Sequence, residues 1–178
     1  AAVAKLDGCG NDPPATRLIN VERSFEAARR LHDAGSFVIF LSTNHVFDGS
    51  KPYRAVHEPT CPVNQYGTQK AEMEKAVLAL PRAAVLRLTK VITRPFPLFE
   101  QWKTKLLAGE PVNAFGDMAI APVLMDNVVE ARALIAQKRV PGIHQLSGPV
   151  DANYYDLACA LARKLGADET LVRKGSFR

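Results

Sequence analysis

The sequence predicts an α/β fold built on a doubly wound parallel sheet, and three observations predict it. Phe37–Leu41 is an unbroken apolar run bounded by turn residues, and Ala84-Val85-Leu86-Arg87-Leu88 reads as a second buried strand. A helical pattern precedes the first run, and another separates the two. Strand, helix, strand implies parallel pairing, because the helix between is the crossover that parallel strands need. Ligands of such sheets sit beyond the carboxyl ends of the strands, and Leu41-Ser42-Thr43 stands at one of these ends.

Taken in order, Pro13-Pro14 can open a helix to about Asp33, with Leu18, Phe25 and Leu31 as inward positions and Gly35 as terminator. The Phe37–Leu41 strand is expected to be interior and buried on both faces. Residues 50–64, with Pro52, Pro59 and Pro62, read as a loop, and a helix follows from about Gln65 to Leu80. After the second strand come a helix over Leu98–Leu107, a short strand at Val112–Phe115 and a helix from about Asp126, a good cap, to Gln137. Gly142–Ser147 reads as a strand, and Asn153–Leu165 as an amphipathic helix ended by Gly166. No repeat, low-complexity tract or linker divides the chain.

The 178 residues, 47% hydrophobic and 23% charged, suffice for one domain with a real core. No apolar stretch approaches the ~20 residues that span a bilayer, and no leader-like start is present, so a cytoplasmic protein without membrane partners is expected. Cys9, Cys61 and Cys159 are odd in number and lack a CxxC pair, which argues against a disulfide framework or a zinc site; His32, His57 and His144 lack ligand spacing, so no metal is expected. The net charge of +5 could favour an anionic partner, but Arg17, Arg23, Arg29 and Arg30 are interleaved with Glu22 and Glu26 as on a solvated helix face. Without a dense basic block, nucleic-acid binding is not expected.

Chemistry concentrates in Tyr66-Gly67-Thr68-Gln69-Lys70. Residues four apart on a helix share one face, so the Lys70 ammonium can favour the Tyr66 phenolate and pull the phenol toward the range of a general acid or base. A hydroxyl at Thr43 could hold the reacting oxygen beside it, which makes Thr43, Tyr66 and Lys70 a candidate catalytic triad. Glu72 and Glu74 read most simply as solvated charges on the same helix. Trp102 with Phe96, Leu98 and Phe99 reads as core packing rather than a ligand platform, and Tyr154-Tyr155 as a helix start with one ring buried.

Leu41-Ser-Thr-Asn-His-Val-Phe-Asp-Gly49, then Glu58-Pro59, Pro62-Val63-Asn64 and the Tyr66 motif, resembles the extended short-chain dehydrogenase/reductase superfamily and its dTDP-4-dehydrorhamnose reductase-like branch. The resemblance runs from about Ala1 to Gly166 and is most specific between Leu41 and Glu74. It implies a Rossmann-like sheet, incomplete at the amino terminus, over residues 1–92, followed by residues 93–178 as mainly a substrate-binding lobe with some elements returning to the sheet. It implies catalytic roles for Thr43, Tyr66 and Lys70, cofactor contacts from Ser42, Tyr66 and Lys70, and a structural asparagine near the site at Asn20.

Several features depart from that pattern. Gly8-Cys9-Gly10 lacks the third glycine and a preceding strand, so it does not read as a phosphate loop. The glycine-rich part is expected to lie outside this chain, which makes binding of NADP or NAD dependent on an absent segment; a fragment is the favoured explanation. Asn44-His45 stand where the family usually carries aspartate and tyrosine, and Lys90 follows Arg87-Leu88-Thr89 where an aromatic platform is common. Asn44, His45 and Lys90 are therefore the expected substrate contacts, Lys90 pairing with phosphate or another anion.

The resemblance implies an NAD(P)H-dependent reductase of a 4-keto sugar nucleotide, in cell-surface polysaccharide precursor metabolism, with assembly as a homodimer left open. A catalytically inactive binding or regulatory module of the same fold is the alternative, and a sugar-nucleotide epimerase fits less well.

Overall fold

The computed structural model describes residues 2–177. Ala1 and Arg178, the outer limits of the two expected segments, lie outside the described residues. The elements are α1 (Leu6–Asn11), α2 (Pro13–Arg17), a π-helical turn (Leu18–Arg23), α3 (Ser24–Asp33), β1 (Val38–Thr43), α4 (Gln65–Leu78), β2 (Ala83–Leu88) and β3 (Lys90–Ile92). They continue with α5 (Pro97–Leu107), β4 (Val112–Phe115), β5 (Ala119–Ile120), β6 (Pro122–Leu124), α6 (Met125–Lys138), β7 (Gly142–Leu146), β8 (Ala152–Asn153), α7 (Tyr154–Leu165) and β9 (Val172–Gly175).

The chain forms two compact units. The first comprises the residues up to Leu88 together with Val128–Leu146. Its sheet has the order β1-β2-β7, all parallel, as the strand-helix-strand alternation predicts. One face is covered by α3 and α4, where Ala28, Met73 and Val77 pack with Val38, Ala83 and Val85; the other is covered by α6, where Ile135 packs with Ala84 and Leu86. Fully burying a side chain such as Val85 or Leu86 contributes about 1.5–3 kcal/mol, so the central strand is the main anchor of this unit. The register aligns Ser42 with Arg87 and Arg87 with Gln145, a polar row across an otherwise apolar sheet.

Burial on both faces was expected for the first strand but is a property of β2, whose residues Ala83–Arg87 are all buried. Among the described residues β1 pairs on one side only, and Leu41 is 42% exposed. The predicted helix over residues 13–33 is one helical run interrupted by the π-turn at Leu18–Arg23. The extra residue in that turn shifts the inward stripe from Thr16 and Asn20 to Val21, Phe25 and Ala28. Leu18, expected to face inward, therefore points outward at 42% exposure; Leu31, also expected inward, stands six residues beyond Phe25 on α3, about 120° round the helix, and is 55% exposed. Gly35 has φ 88°, a conformation suited to glycine, and follows the last turn as expected.

The second unit comprises Thr89–Asn127 and the residues from Ser147. Parallel pairs β3-β6 and β4-β9 and the antiparallel pair β5-β8 are its ladders. Its core joins Trp102 and Leu106 of α5 to Tyr154, Ala158 and Ala162 of α7 and to Val112 and Val172. Trp102 stacks on Phe99 with centroids 5.6 Å apart and meets the Tyr154 ring edge-on, which makes it a core residue. Asn153 caps α7 by accepting the Asp156 amide, and Gly166 ends the helix in the left-handed conformation, φ 68°. Strands of two to four residues, β3, β5, β6, β8 and β9, are too short to show a period in sequence.

Candidate active site

The site begins where β1 ends. The Thr43 hydroxyl oxygen accepts the His45 amide at 3.2 Å, bending the chain into a short 3-10 turn over Asn44–Val46. On the facing element Asn64 caps α4 by accepting the Gly67 amide at 2.8 Å. Gly67 is required for approach rather than for φ: a β-carbon there would collide with the backbone oxygen of His45 and crowd Pro62. The first turn of α4 therefore lies directly against the end of β1. Tyr66 enters beside His45, the ring centroids 6.0 Å apart and edge-on.

One turn later, Lys70 is buried and donates to the Leu41 carbonyl at 2.9 Å. Its ammonium sits 4.5 Å from the Phe40 ring centroid and 5.7 Å from that of Tyr66. Ser42, Thr43, Asn44, His45, Tyr66 and Lys70 are thus held by three adjoining elements, the end of β1, the 3-10 turn after it and the start of α4. Burial lowers the Lys70 pKa from its ordinary value, opposed by the negative charge of Glu74. Burial raises the Tyr66 pKa, and the nearby Cys9 thiol acts in the same direction. This is opposite to the lowering expected from the spacing with Lys70. Removal from water outweighs a cation that is turned toward a carbonyl and a ring.

Asn20, expected to be a structural residue near the site, is buried and bridges three segments. It accepts the Val3 amide at 2.8 Å and donates to the Val3 carbonyl and to Gln69 Oε1, at 3.0 and 2.8 Å. Gln69 in turn donates to the Thr16 hydroxyl at 3.0 Å, so the residue before Lys70 is tied to the helical run preceding β1. Gly8-Cys9-Gly10 lies within α1 and forms no loop.

Ser42, an expected cofactor contact, is buried and donates its hydroxyl hydrogen to Glu74 at 2.5 Å. Glu74, read as a solvated charge, is 2% exposed and forms a two-pronged pair with Arg87, whose Nε and Nη2 donate at 3.1 and 2.8 Å. Arg87 also donates to the Val56 carbonyl and to Gln145 Oε1, and its guanidinium lies 5.0 Å from the Phe47 ring centroid. The signal was present in sequence: an arginine inside an apolar strand needs a carboxylate partner. Glu72, by contrast, is solvated and pairs with Arg17.

Phe47 also carries the Arg54 guanidinium, and Arg54 pairs with Asp48 and Glu58, so the loop after the site is stapled by charge. Lys51 donates to Glu58 and, with the Ala55 amide, lowers its pKa to about 2. Lys90 belongs to the second unit, where it is exposed and lies over the Phe96 ring. Among the described residues no cluster of histidine, cysteine, aspartate and glutamate is arranged to hold a metal ion, and no helix is long and apolar enough to cross a membrane.

A parallel sheet with helices on both faces, a threonine at a strand end and a tyrosine-lysine pair on the adjoining helix define a Rossmann-like protein of the extended short-chain dehydrogenase/reductase type. The chain belongs to the RmlD substrate binding domain family, whose model matches residues 1–176. It is 34% identical, over 97% of its length and 60% of the relative, to a probable dTDP-4,6-dihydroxy-2-methyloxan-3-one 4-ketoreductase of Streptomyces antibioticus. It is 30% identical, over 91% of its length and 52% of the relative, to methionine adenosyltransferase 2 subunit beta of Pongo abelii. It therefore spans between half and two thirds of the curated relatives it matches. Its fold is similar to dTDP-4-dehydrorhamnose reductase of Bacillus anthracis str. Ames, solved in complex with NADP, with a TM-score of 0.90 over 99% of this chain and 64% of that one at 17% identity.

Proposed function

We propose that this chain carries the proton-transfer site of an NAD(P)H-dependent reductase of a 4-keto sugar nucleotide. The observation that supports this most is the seating of Lys70 on the Leu41 carbonyl at 2.9 Å, one turn from Tyr66 and beside the strand end occupied by Thr43. The donor set suits a nicotinamide ribose: an ammonium has three hydrogens, and the Leu41 carbonyl takes one, which leaves donors for ribose hydroxyls. When bound, the nicotinamide supplies the hydride that reduces the carbonyl carbon.

The protein's own residues handle the proton. With its pKa raised by burial, the Tyr66 phenol retains its proton at neutral pH, the state needed to protonate the substrate oxygen as the carbonyl becomes an alcohol. Lys70 stabilises the phenolate left behind. Thr43, whose hydroxyl hydrogen makes only a 3.5 Å contact with Asn44 Oδ1, can turn it to the developing alkoxide. Asn44 and His45 are the proposed contacts to the sugar nucleotide, and NADP or NAD the cofactor. The test is NADPH consumption by the protein with a dTDP-4-keto sugar: Tyr66→Phe should lower turnover by about 10²- to 10⁴-fold, the usual contribution of a positioned acid. A Tyr66→Phe variant as active as the parent would refute the assignment.

A second reading, a non-catalytic binding or regulatory module, is supported by the similarity to methionine adenosyltransferase 2 subunit beta. It predicts dinucleotide binding without turnover on any 4-keto sugar nucleotide.

A further inference from the structure

Glu74, Arg87 and Ser42 are each no more than 6% exposed, and none has a place in the proposed proton transfer. Glu74 lies one turn beyond Lys70 on the same face of α4, and it receives hydrogen bonds from both strands beneath. Ser42 of β1 donates to one carboxylate oxygen at 2.5 Å, and Arg87 of β2 grips both oxygens, its Nε 3.1 and 3.2 Å from them. The residue before Ser42 is Leu41, whose carbonyl receives the Lys70 ammonium. Two consecutive residues of β1 are therefore fastened to two residues one turn apart on α4. Gln145 of β7 and the Val56 carbonyl brace Arg87 from its far side.

We infer that the Ser42–Glu74–Arg87 cluster is a positioning device for Lys70, fixing α4 in register on β1 and keeping the buried ammonium protonated. The inference rests on the catalytic reading of Lys70 for its purpose, but not for its test. The groups facing Lys70 are few. On its own helix they are Tyr66 and Glu74; β1 contributes the Leu41 carbonyl and the Phe40 ring. Arg87 of β2 acts through Glu74, and Cys9 of α1 acts on Tyr66. Glu74 is the anion that opposes the effect of burial on Lys70.

The experiment is an NMR pH titration of the Lys70 side chain in the purified chain, compared with Glu74→Gln and with the double variant Glu74→Gln/Arg87→Met. The double variant removes both charges and leaves no buried cation unpaired. Glu74→Gln should lower the Lys70 midpoint, because the anion that opposes burial is gone, and the double variant should lower it less, because the Arg87 cation is removed as well. An unchanged midpoint in folded Glu74→Gln, or a double variant shifted further down than the single one, overturns the inference. The parent chain gives a reading of its own, whether or not the variants fold: a Lys70 neutral at pH 7 overturns the inference outright. Neither cofactor nor turnover enters, so a failed reductase assay would leave this result standing, and an active reductase with an unmoved midpoint would remove the positioning role alone.

Discussion

The backbone oxygen of His45 occupies the space that a β-carbon on Gly67 would fill. Helix α4 can rest on the end of β1 only because that residue has no side chain. Alanine at position 67 would gain up to about 1 kcal/mol in helix propensity. Against that, forcing atoms into a packed contact costs about 1–3 kcal/mol, and the obstacle here is backbone, which cannot swing aside. Gly67→Ala is expected to lower stability in denaturant melts by about 1–2 kcal/mol on balance. It should also lift Tyr66 away from His45, read as a change in the Tyr66 ring signals by NMR.

The Tyr66 phenol should titrate above 10, because burial opposes formation of the phenolate. A proton held more tightly in the folded state stabilises the fold below that pH, and the contribution is lost as pH rises through the folded value. The ¹³Cζ shift of Tyr66 followed from pH 8 to 12 measures it. A midpoint below 10 would mean that Lys70 dominates burial.

Breaking the buried pair from one side is expected to be severe. Arg87→Met alone leaves the Glu74 carboxylate in the interior with the Ser42 hydroxyl, and should cost about 3–5 kcal/mol in urea unfolding. Glu74→Gln/Arg87→Met should recover more than half of that loss. If the double variant is no better than the single, packing of the arginine stem rather than the pair is what matters.

The loop after the site should loosen in acid. Glu58 is held at about 2 by Lys51 first and by the Ala55 amide second, against an ordinary 4.5. Because the folded value is depressed, its contribution is complete above the ordinary value and fades as pH falls toward about 2. The Ala55 amide, 2.8 Å from the Glu58 carboxylate, should lose hydrogen-exchange protection at pH 1 relative to pH 5.5. Equal protection at the two values would show that the staple does not depend on charge.

Much of this fold could be read from residue order. Phe37–Leu41 and Ala84–Leu88 became parallel neighbours, and the α4 boundary at Gln65 follows from Asn64 as cap. Two kinds of fact escaped. Leu18 turns outward because the phase of the run changes at the π-turn, which no residue type announces, and Leu31 because it lies about 120° from Phe25 on α3. The helix pattern alone gives Glu74 a solvated place, whereas its environment is set by Arg87, thirteen residues on and in another element. The spacing of Lys70 and Tyr66 likewise reports the neighbour but not the water excluded around both.

The π-turn at Leu18–Arg23 makes the helical run two cams on one shaft. The front cam turns Thr16 and Asn20 toward Gln69 of α4; the rear cam turns Phe25 and Ala28 toward the sheet. Deleting one residue from the turn would rotate one cam against the other by about 100°. The run could then serve the site or the sheet, and not both, so this stretch should tolerate many exchanges of residue but no change in its length.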